Sequence, residues 1–256
     1  MTAGNKKLFT YLHSFKTKRM LNNKMRLKMS KLKLLAVSAL TLFATHALAA
    51  KDSQSALISK ATTLASKGQI NEACQNFYKA YGLGYQGNPK KSSDPKENKT
   101  YVKAALEAAA CMERERGPFD YDAATVYHDL SGNYNSKEAH ERLNQMQQIS
   151  LKEASLLKSH GLQDFTKANA ATNNACKHAE FGYYLGFLGT EDQKKDEKAN
   201  AGYVINGIYH STCMSLNPNF FLNGDPEVSR LHAISTLEGL ASEYGSSFAA
   251  KLLDAQ

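Results

Sequence analysis

The sequence predicts an all-α protein in which a disulfide-stapled helical-hairpin module occurs twice in tandem behind a signal peptide. Four cysteines form two related pairs, because Cys74 and Cys176 are 102 residues apart, as are Cys111 and Cys213. Apolar residues recur every three to four positions along much of the chain, a spacing typical of helices. The predicted domains are a targeting segment, a first copy and a second copy, at residues 1–49, 50–150 and 151–256.

A secretory signal peptide is predicted near the N-terminus. The apolar run at residues 34–44 follows several lysines and arginines and precedes an A-x-A cleavage site at residues 47–49. This run is too short to cross a bilayer, which takes roughly 20 apolar residues. We expect cleavage after Ala49 or Ala50, which leaves a periplasmic or secreted protein without a stable membrane anchor.

Much of the positive charge lies in the targeting segment. Residues 1–49 hold ten lysines and arginines and no acidic residue, so the mature part keeps 22 of the 32 bases and all 24 acids. Its formal charge is therefore −2, whereas the whole chain carries +8. Binding of DNA or RNA needs a basic face, so no nucleic-acid partner is expected. The long segment before the apolar run leaves the translation start open between Met1, Met25 and Met29.

The chain matches itself without a gap when residues 71–119 are laid on residues 173–221. This period is longer than the 20–50 residues of solenoid repeats, so it predicts two copies of one helical module. In each copy a first helix is expected to end at a Leu-Gly pair, and a second helix to be capped by Asn98 or Asn200. The Leu-Gly pairs and two of the repeated tyrosine pairs are Leu83-Gly84 and Leu185-Gly186, Tyr81 and Tyr183, and Tyr101 and Tyr203.

Helix geometry predicts how the cysteines pair. Cys74 lies 10 residues before Gly84, and Cys111 lies 13 residues after Asn98. At 1.5 Å per residue these are about 15 and about 20 Å from the connecting loop, so antiparallel helices bring the two sulfurs to similar heights. We therefore expect one disulfide within each copy; pairing between copies is the alternative. An even number of cysteines fits an oxidising compartment, and the absence of a close C-x2–4-C pair argues against a four-cysteine zinc site.

Further helices are expected outside the matched segments, at residues 56–65, at residues 135–160 and from residue 225 onwards. Asn135 and Glu138 form a capping-box-like start for the second of these, and Gly161 is its expected stop. Asp225 followed by proline is a strong start for the third. Loops are expected at residues 132–135 and 217–224.

Residues 61–83 resemble one tetratricopeptide motif in the placing of small and large packing residues. Members of that family form stacked helix pairs that bind proteins or peptides on a concave face, so the resemblance implies protein binding. The second copy departs from the motif at several of these positions. Tyr184-Leu185-Gly186, followed by a distant cysteine, is similar to small disulfide-bonded periplasmic immunity proteins. The residues that carry the tetratricopeptide resemblance are Ala61, Leu64, Ala65, Gly68, Glu72, Ala73, Phe77, Lys79, Ala80 and Leu83.

The chain contains no P-loop, G-x-S-x-G elbow or dinucleotide fingerprint. Glu107, Glu113 and Glu115 could supply the paired carboxylates of a cell-envelope hydrolase. Arg114 and Arg116 alternate with these acids, which favours a salt-bridged helix end instead. No catalytic residue is therefore assigned, and the hydrolase stays the alternative function.

No metal ion or cofactor is expected. His140-Glu141 begins like H-E-x-x-H, but Asn144 stands where the second histidine ligand belongs. His178 and His210 lie near the second pair of cysteines, where a lone histidine is more often structural than a ligand.

The repeated aromatics are the sequence's best indication of a binding surface. They form either the core or an edge that binds another protein, since tyrosine is enriched among the residues that dominate interfaces. The predicted function is a non-enzymatic exported protein that binds another protein, possible roles being an inhibitor or an immunity protein; the oligomeric state stays open. The candidate binding residues are Tyr81, Tyr85, Tyr101, Tyr183, Phe187 and Tyr203.

Overall fold

The computed structural model describes residues 53–85, 95–155, 157, 166 and 169–255. Ser53–Gln256 form one compact unit. The predicted signal peptide, its cleavage site and the three possible starts lie outside the described residues.

The described part of the chain is helical throughout, without a strand, which confirms the all-α prediction for these residues. Each helix packs against the next one along the chain; in addition, α1 contacts α3 and α5 contacts α7. We call α1–α5 the first half and α6–α9 the second half. The helices are α1 Gln54–Ser66, α2 Ile70–Tyr85, α3 Pro95–Arg116, α4 Tyr121–Tyr134, α5 Lys137–Ala154, α6 Ala170–Tyr184, α7 Glu197–Leu216, α8 Pro226–Ser242 and α9 Ser247–Asp254.

Two disulfides join neighbouring helices. Cys74 on α2 is bonded to Cys111 on α3, and Cys176 on α6 is bonded to Cys213 on α7. The Cα atoms are 5.6 and 5.8 Å apart, and each bond spans 37 residues. These are the pairs that the helix geometry predicts, and they indicate an oxidising compartment.

The predicted Leu-Gly helix end holds in one half only. In the second half α6 ends at Tyr184, and Gly186 takes the left-handed conformation with φ 71°. In the first half α2 continues through Gly84 to Tyr85, so the prediction is wrong there. A Cβ on Gly84 would lie 2.5 Å from the Tyr101 ring, so glycine serves here to let α2 pass closely against α3.

The predicted asparagine caps are also wrong. Helix α3 already begins at Pro95, which places Asn98 inside it. Asp196 caps α7 by accepting hydrogen bonds from the N–H groups of Lys198 and Ala199. Asn200, one turn later, is buried; its Nδ2 donates to the carbonyls of Lys194 at 2.6 Å and Tyr244 at 3.1 Å.

The turn from α4 to α5 differs from the predicted loop at residues 132–135. Helix α4 runs on to Tyr134 and ends at Asn135, whose φ is 53°. Ser136, and not Asn135, caps α5, because its hydroxyl accepts a hydrogen bond from the Ala139 N–H. The predicted stop at Gly161 lies outside the described residues.

The same turn occurs between α8 and α9. Gly245 has φ 67°, and Ser246 caps α9 through the Ala249 N–H. The N–H of Ser246 donates to Leu240 O at 3.0 Å, as that of Ser136 donates to Leu130 O at 3.0 Å. Each of these hydrogen bonds joins residues six positions apart and closes the helix end around a left-handed residue. The predicted start at Asp225 is confirmed, and the segment before it contains two short 3-10 turns.

A continuous core joins the two halves. Phe181 and Leu185 pack into the same cluster as Leu130 and Leu143 of the first half. Gln147 on α5 is buried, and its Nε2 donates to Gly182 O at 3.2 Å and Gly186 O at 2.8 Å. The domain boundary predicted at residues 150 and 151 falls inside α5.

Acid should destabilise the second half through His210 on α7. Burial, and then the nearby His232, lower the pKa of His210 to about 4. This value lies below the pKa of about 6.5 in the unfolded chain, so between pH 6.5 and pH 4 the unfolded state binds a proton that the folded state does not. The free energy of unfolding is therefore highest above pH 6.5 and decreases as the pH falls toward 4. We expect a loss of about 3 kcal/mol from this group.

Urea titrations at pH 7 and pH 4 test this expectation. The His210→Asn variant lacks the titrating ring, so its free energy of unfolding should fall less over this interval than that of the wild type. An equal fall in both proteins would show that other groups cause the acid sensitivity.

Candidate partner-binding grooves

The predicted aromatics of the first half pack on one another. Tyr101 is 6% exposed, and its ring centroid lies 5.9 Å from Tyr81 and 5.1 Å from Tyr134. Burial raises the pKa of the Tyr101 hydroxyl. The side chain of Tyr85 lies outside the described residues.

The second half contains a similar cluster. The Tyr203 ring lies 5.0 Å from Tyr183 and 4.8 Å from Tyr244, and Phe187 lies 5.4 Å from Tyr244. Tyr183, Tyr203 and Phe187 are half-buried. Sequence reasoning missed Tyr134 and Tyr244, which are 110 and not 102 residues apart.

An exposed aromatic pair marks the junction of the two halves. Tyr121 is 43% exposed and Tyr184 is 48% exposed, with ring centroids 4.8 Å apart in an edge-to-face arrangement. The Tyr184 hydroxyl lies 3.2 Å from the Thr125 hydroxyl, and the buried Phe181 ring supports Tyr121 from 4.9 Å. Neither exposed tyrosine is among the candidates predicted from the repeat.

A charged cavity of about 530 Å³ lies on the first half, between α3 and α5. We call it the acidic groove, because four of its six charged side chains are glutamates. Burial raises the pKa of Glu107 in this groove, and Glu138 raises it further while Lys103 opposes the shift. The charged lining residues are Glu107, Glu113, Glu138, Glu141, Arg114 and Arg142.

Glu113 is held by an ion pair on the wall of the acidic groove. Its side chain is 5% exposed. Its Oε1 accepts hydrogen bonds from the Tyr127 hydroxyl at 2.7 Å and from Arg142 Nε at 2.8 Å, and its Oε2 accepts one from Arg142 Nη2. Both oxygens of the Glu113 carboxylate are therefore already hydrogen-bonded, to the charged Arg142 and the neutral Tyr127.

The other predicted carboxylate and its neighbouring arginine lie elsewhere. Glu115 is not among the lining residues of the groove and accepts a hydrogen bond from the Tyr78 hydroxyl at 2.9 Å. Arg116 lies 3.1 Å from Asp120 and 2.6 Å from Asp122. Of the three glutamates named from the sequence, the structure brings Glu107 and Glu113 to one groove.

A second cavity, of about 540 Å³, lies on the second half between α7 and α9. We call it the apolar groove, because Glu197 is the sole acidic or basic residue among its lining residues. Leu157 contributes to the wall, and polar groups gather where α7 and α9 begin. The main apolar lining residues are Val204, Ile205, Ile208, Tyr209, Phe248 and Leu252.

The two grooves occupy matching places on the repeated helices. Positions on α3 and α7 correspond at an offset of 102 residues, as the cysteines show. Along the outer stripe α7 carries apolar or aromatic residues where α3 carries charges. Of these charged residues Glu107 lines the acidic groove, and the two lysines line a separate cavity beside α1. The three matched pairs are Lys99 and Ala201, Lys103 and Ile205, and Glu107 and Tyr209.

The opposite wall shows the same change. Helices α5 and α9 follow matching turns at an offset of 110 residues. Phe248 therefore stands where the first half has Glu138, and Leu252 where it has Arg142. Phe248 is 56% exposed. Matching helices thus form one charged groove and one apolar groove.

The histidines considered from the sequence lie in different aromatic contacts. His178 stacks on Phe119 at 4.0 Å, and His210 stacks on Tyr183 at 5.6 Å. The described residues contain no group of three or more His, Cys, Asp or Glu side chains that could hold a metal ion. Among these residues, no helix combines the length and hydropathy needed to cross a membrane.

No known protein family, curated protein or solved structure matches this chain.

Proposed function

We propose that this chain is exported by its signal peptide and works, in the periplasm or outside the cell, as a non-enzymatic protein that binds another protein. The two disulfides support an oxidising compartment. An inhibitor or immunity protein is a concrete version of this role. The matched disulfides, turns and tyrosine clusters support a tandem duplication, in which the second copy carries the binding surface.

The apolar groove carries the proposal. From Ala199 to Leu216 helix α7 has no Asp, Glu, Lys or Arg, and a helix without a charged face is normally covered over most of its surface. Ile205 and Tyr209 are nevertheless partly accessible, and Phe248 is largely exposed. Contiguous exposed apolar surface of this kind marks interaction sites.

Capture from envelope extract tests the proposed function. The bait is the oxidised protein, exported from its full-length precursor and purified. Its matched variant is Ile205→Lys with Tyr209→Glu, which introduces the residues that the first half carries at these positions and should leave the fold intact. We expect a partner to be retained by the wild type and its binding to fall more than about tenfold in the variant.

The control variant is Lys103→Ile with Glu107→Tyr, which makes the reverse exchange on α3. Glu107 lines the acidic groove, whereas Lys103 lines a separate cavity beside α1. This variant should retain the partner as the wild type does. Recovery of no partner, or equal recovery by all three baits, would count against protein binding at the apolar groove.

Hydrolysis in the acidic groove is the second candidate function. Glu107 favours it, because a general acid needs a raised pKa, which burial supplies here. Glu138 is close enough to influence it. Substituting Glu107→Gln with Glu138→Gln should abolish an activity on envelope glycans without lowering the melting temperature, if this candidate is correct.

A further inference from the structure

The outer stripe of α7 continues along much of the helix. It runs from Glu197 to Thr212, and the lining residues between them follow at spacings of three and four. At 1.5 Å per residue this stripe is about 22 Å long, or about four helical turns. The groove is therefore an elongated trough along α7, and its other wall consists of the α8–α9 turn, the eight-residue α9 and Leu157. The stripe consists of Glu197, Asn200, Ala201, Val204, Ile205, Ile208, Tyr209 and Thr212.

Charge is confined to one end of this trough. Glu197 lies in the first turn of α7, whereas Thr212 lies toward its C-terminal end. The wall formed by α9 adds Phe248 and Leu252, which are uncharged. An occupant that matches this surface has an apolar face along its length and one positive charge at the end beside Glu197.

We propose that the apolar groove binds one amphipathic helix of the partner protein, about four turns long, with a lysine or arginine placed beside Glu197. This inference rests on the proposed function and names the element that is bound. An amphipathic helix fits because its anchors at i, i+3, i+4 and i+7 present an apolar stripe to a groove between helices. The single carboxylate fixes the direction in which the helix lies.

Site-specific photo-crosslinking tests the inference. The substitution Ile205→p-benzoylphenylalanine places the probe in the trough, and Lys103→p-benzoylphenylalanine places it at the matching position of α3, outside the acidic groove. Each exported, oxidised protein is irradiated in envelope extract, and the crosslinked peptides are sequenced by mass spectrometry. We expect position 205 to crosslink to a segment with apolar residues at helical spacing and a basic residue at one end.

A charge exchange then tests the direction. With a synthetic peptide of the crosslinked segment, Glu197→Lys should weaken binding about threefold, since an exposed ion pair contributes little. Changing the peptide's basic residue to glutamate should restore the affinity for this variant alone. Failure of the exchange to restore binding would overturn the proposed orientation.

Other crosslinking results separate the inference from the proposed function. A partner crosslinked from position 205 through a segment without helical spacing would overturn the inference alone. Crosslinks to a second copy of this chain, or native mass spectrometry showing a small apolar molecule in place of a peptide, would also overturn it. Absence of any polypeptide crosslink from position 205, from Lys103 or from a third probe at Tyr184 would count against the proposed function itself.

Discussion

Replacing both Cys176 and Cys213 by alanine should lower the free energy of unfolding by about 4 kcal/mol. The disulfide closes a span of 37 residues, and the chain-entropy model gives this value for a loop of that size. Domains are typically stable by about 5–15 kcal/mol, so the loss is a large fraction of the total. Urea denaturation of the variant and the oxidised wild type measures it.

The first disulfide supplies the matched control. Cys74 and Cys111 also span 37 residues, so the same model predicts an equal loss for their double alanine variant. All four cysteines are buried, which keeps the cavity terms similar. A loss below about 1 kcal/mol for both variants, well under the typical cost of removing a disulfide, would contradict the view that these bonds staple each helix pair.

Replacing Arg142 by methionine should cost about 3 kcal/mol. The substitution removes the two hydrogen bonds that Arg142 donates to the Glu113 carboxylate and leaves the one from the Tyr127 hydroxyl. The carboxylate stays buried without its ion-pair partner, and an unpaired buried charge is strongly destabilising. Glu113→Gln should cost less, because the Arg142 side chain is 38% exposed and can reach water. Thermal or urea unfolding at pH 7 compares the two variants.

A double variant distinguishes a charge effect from a packing effect. Glu113→Ser with Arg142→Leu introduces the residues at the matching positions of the second half, Ser215 and Leu252. It removes both charges, so its loss should be smaller than the sum of the losses of Glu113→Ser and Arg142→Leu measured singly. Additive losses would contradict the ion-pair account.

The offset of the cysteines and helix geometry were enough to predict both disulfides, because each disulfide lies within one local helix pair. The three-to-four-residue spacing of apolar residues predicted the all-α class. The same offset could not reveal Tyr134, Tyr244 or the turns after them. Between α7 and α8 the match changes from 102 to 110 residues, and two 3-10 turns lie in this segment. A gapless comparison therefore stops before the helices that form the second wall of each groove.

Contacts between helices distant in sequence account for the remaining differences between the sequence predictions and the structure. Arg114 and Arg116 lie one and three residues after Glu113, but the ion-pair partner of Glu113 is Arg142 on α5, 29 residues away. Asn200 looks like a helix cap by its type and place, whereas it is buried inside α7 and bonded to the α8–α9 turn. Predicting the apolar groove would require knowing that α7 and α9 face one another. The residue spacing on either helix alone does not show this.

The most direct test is a calorimetric titration of the captured partner into three purified proteins: the wild type, Ile205→Lys with Tyr209→Glu, and Lys103→Ile with Glu107→Tyr. If the apolar groove is the binding surface, the affinity falls more than about tenfold in the first variant. It stays close to the wild-type value in the second. Equal affinities for the wild type and the apolar-groove variant, with both proteins folded, would contradict the account.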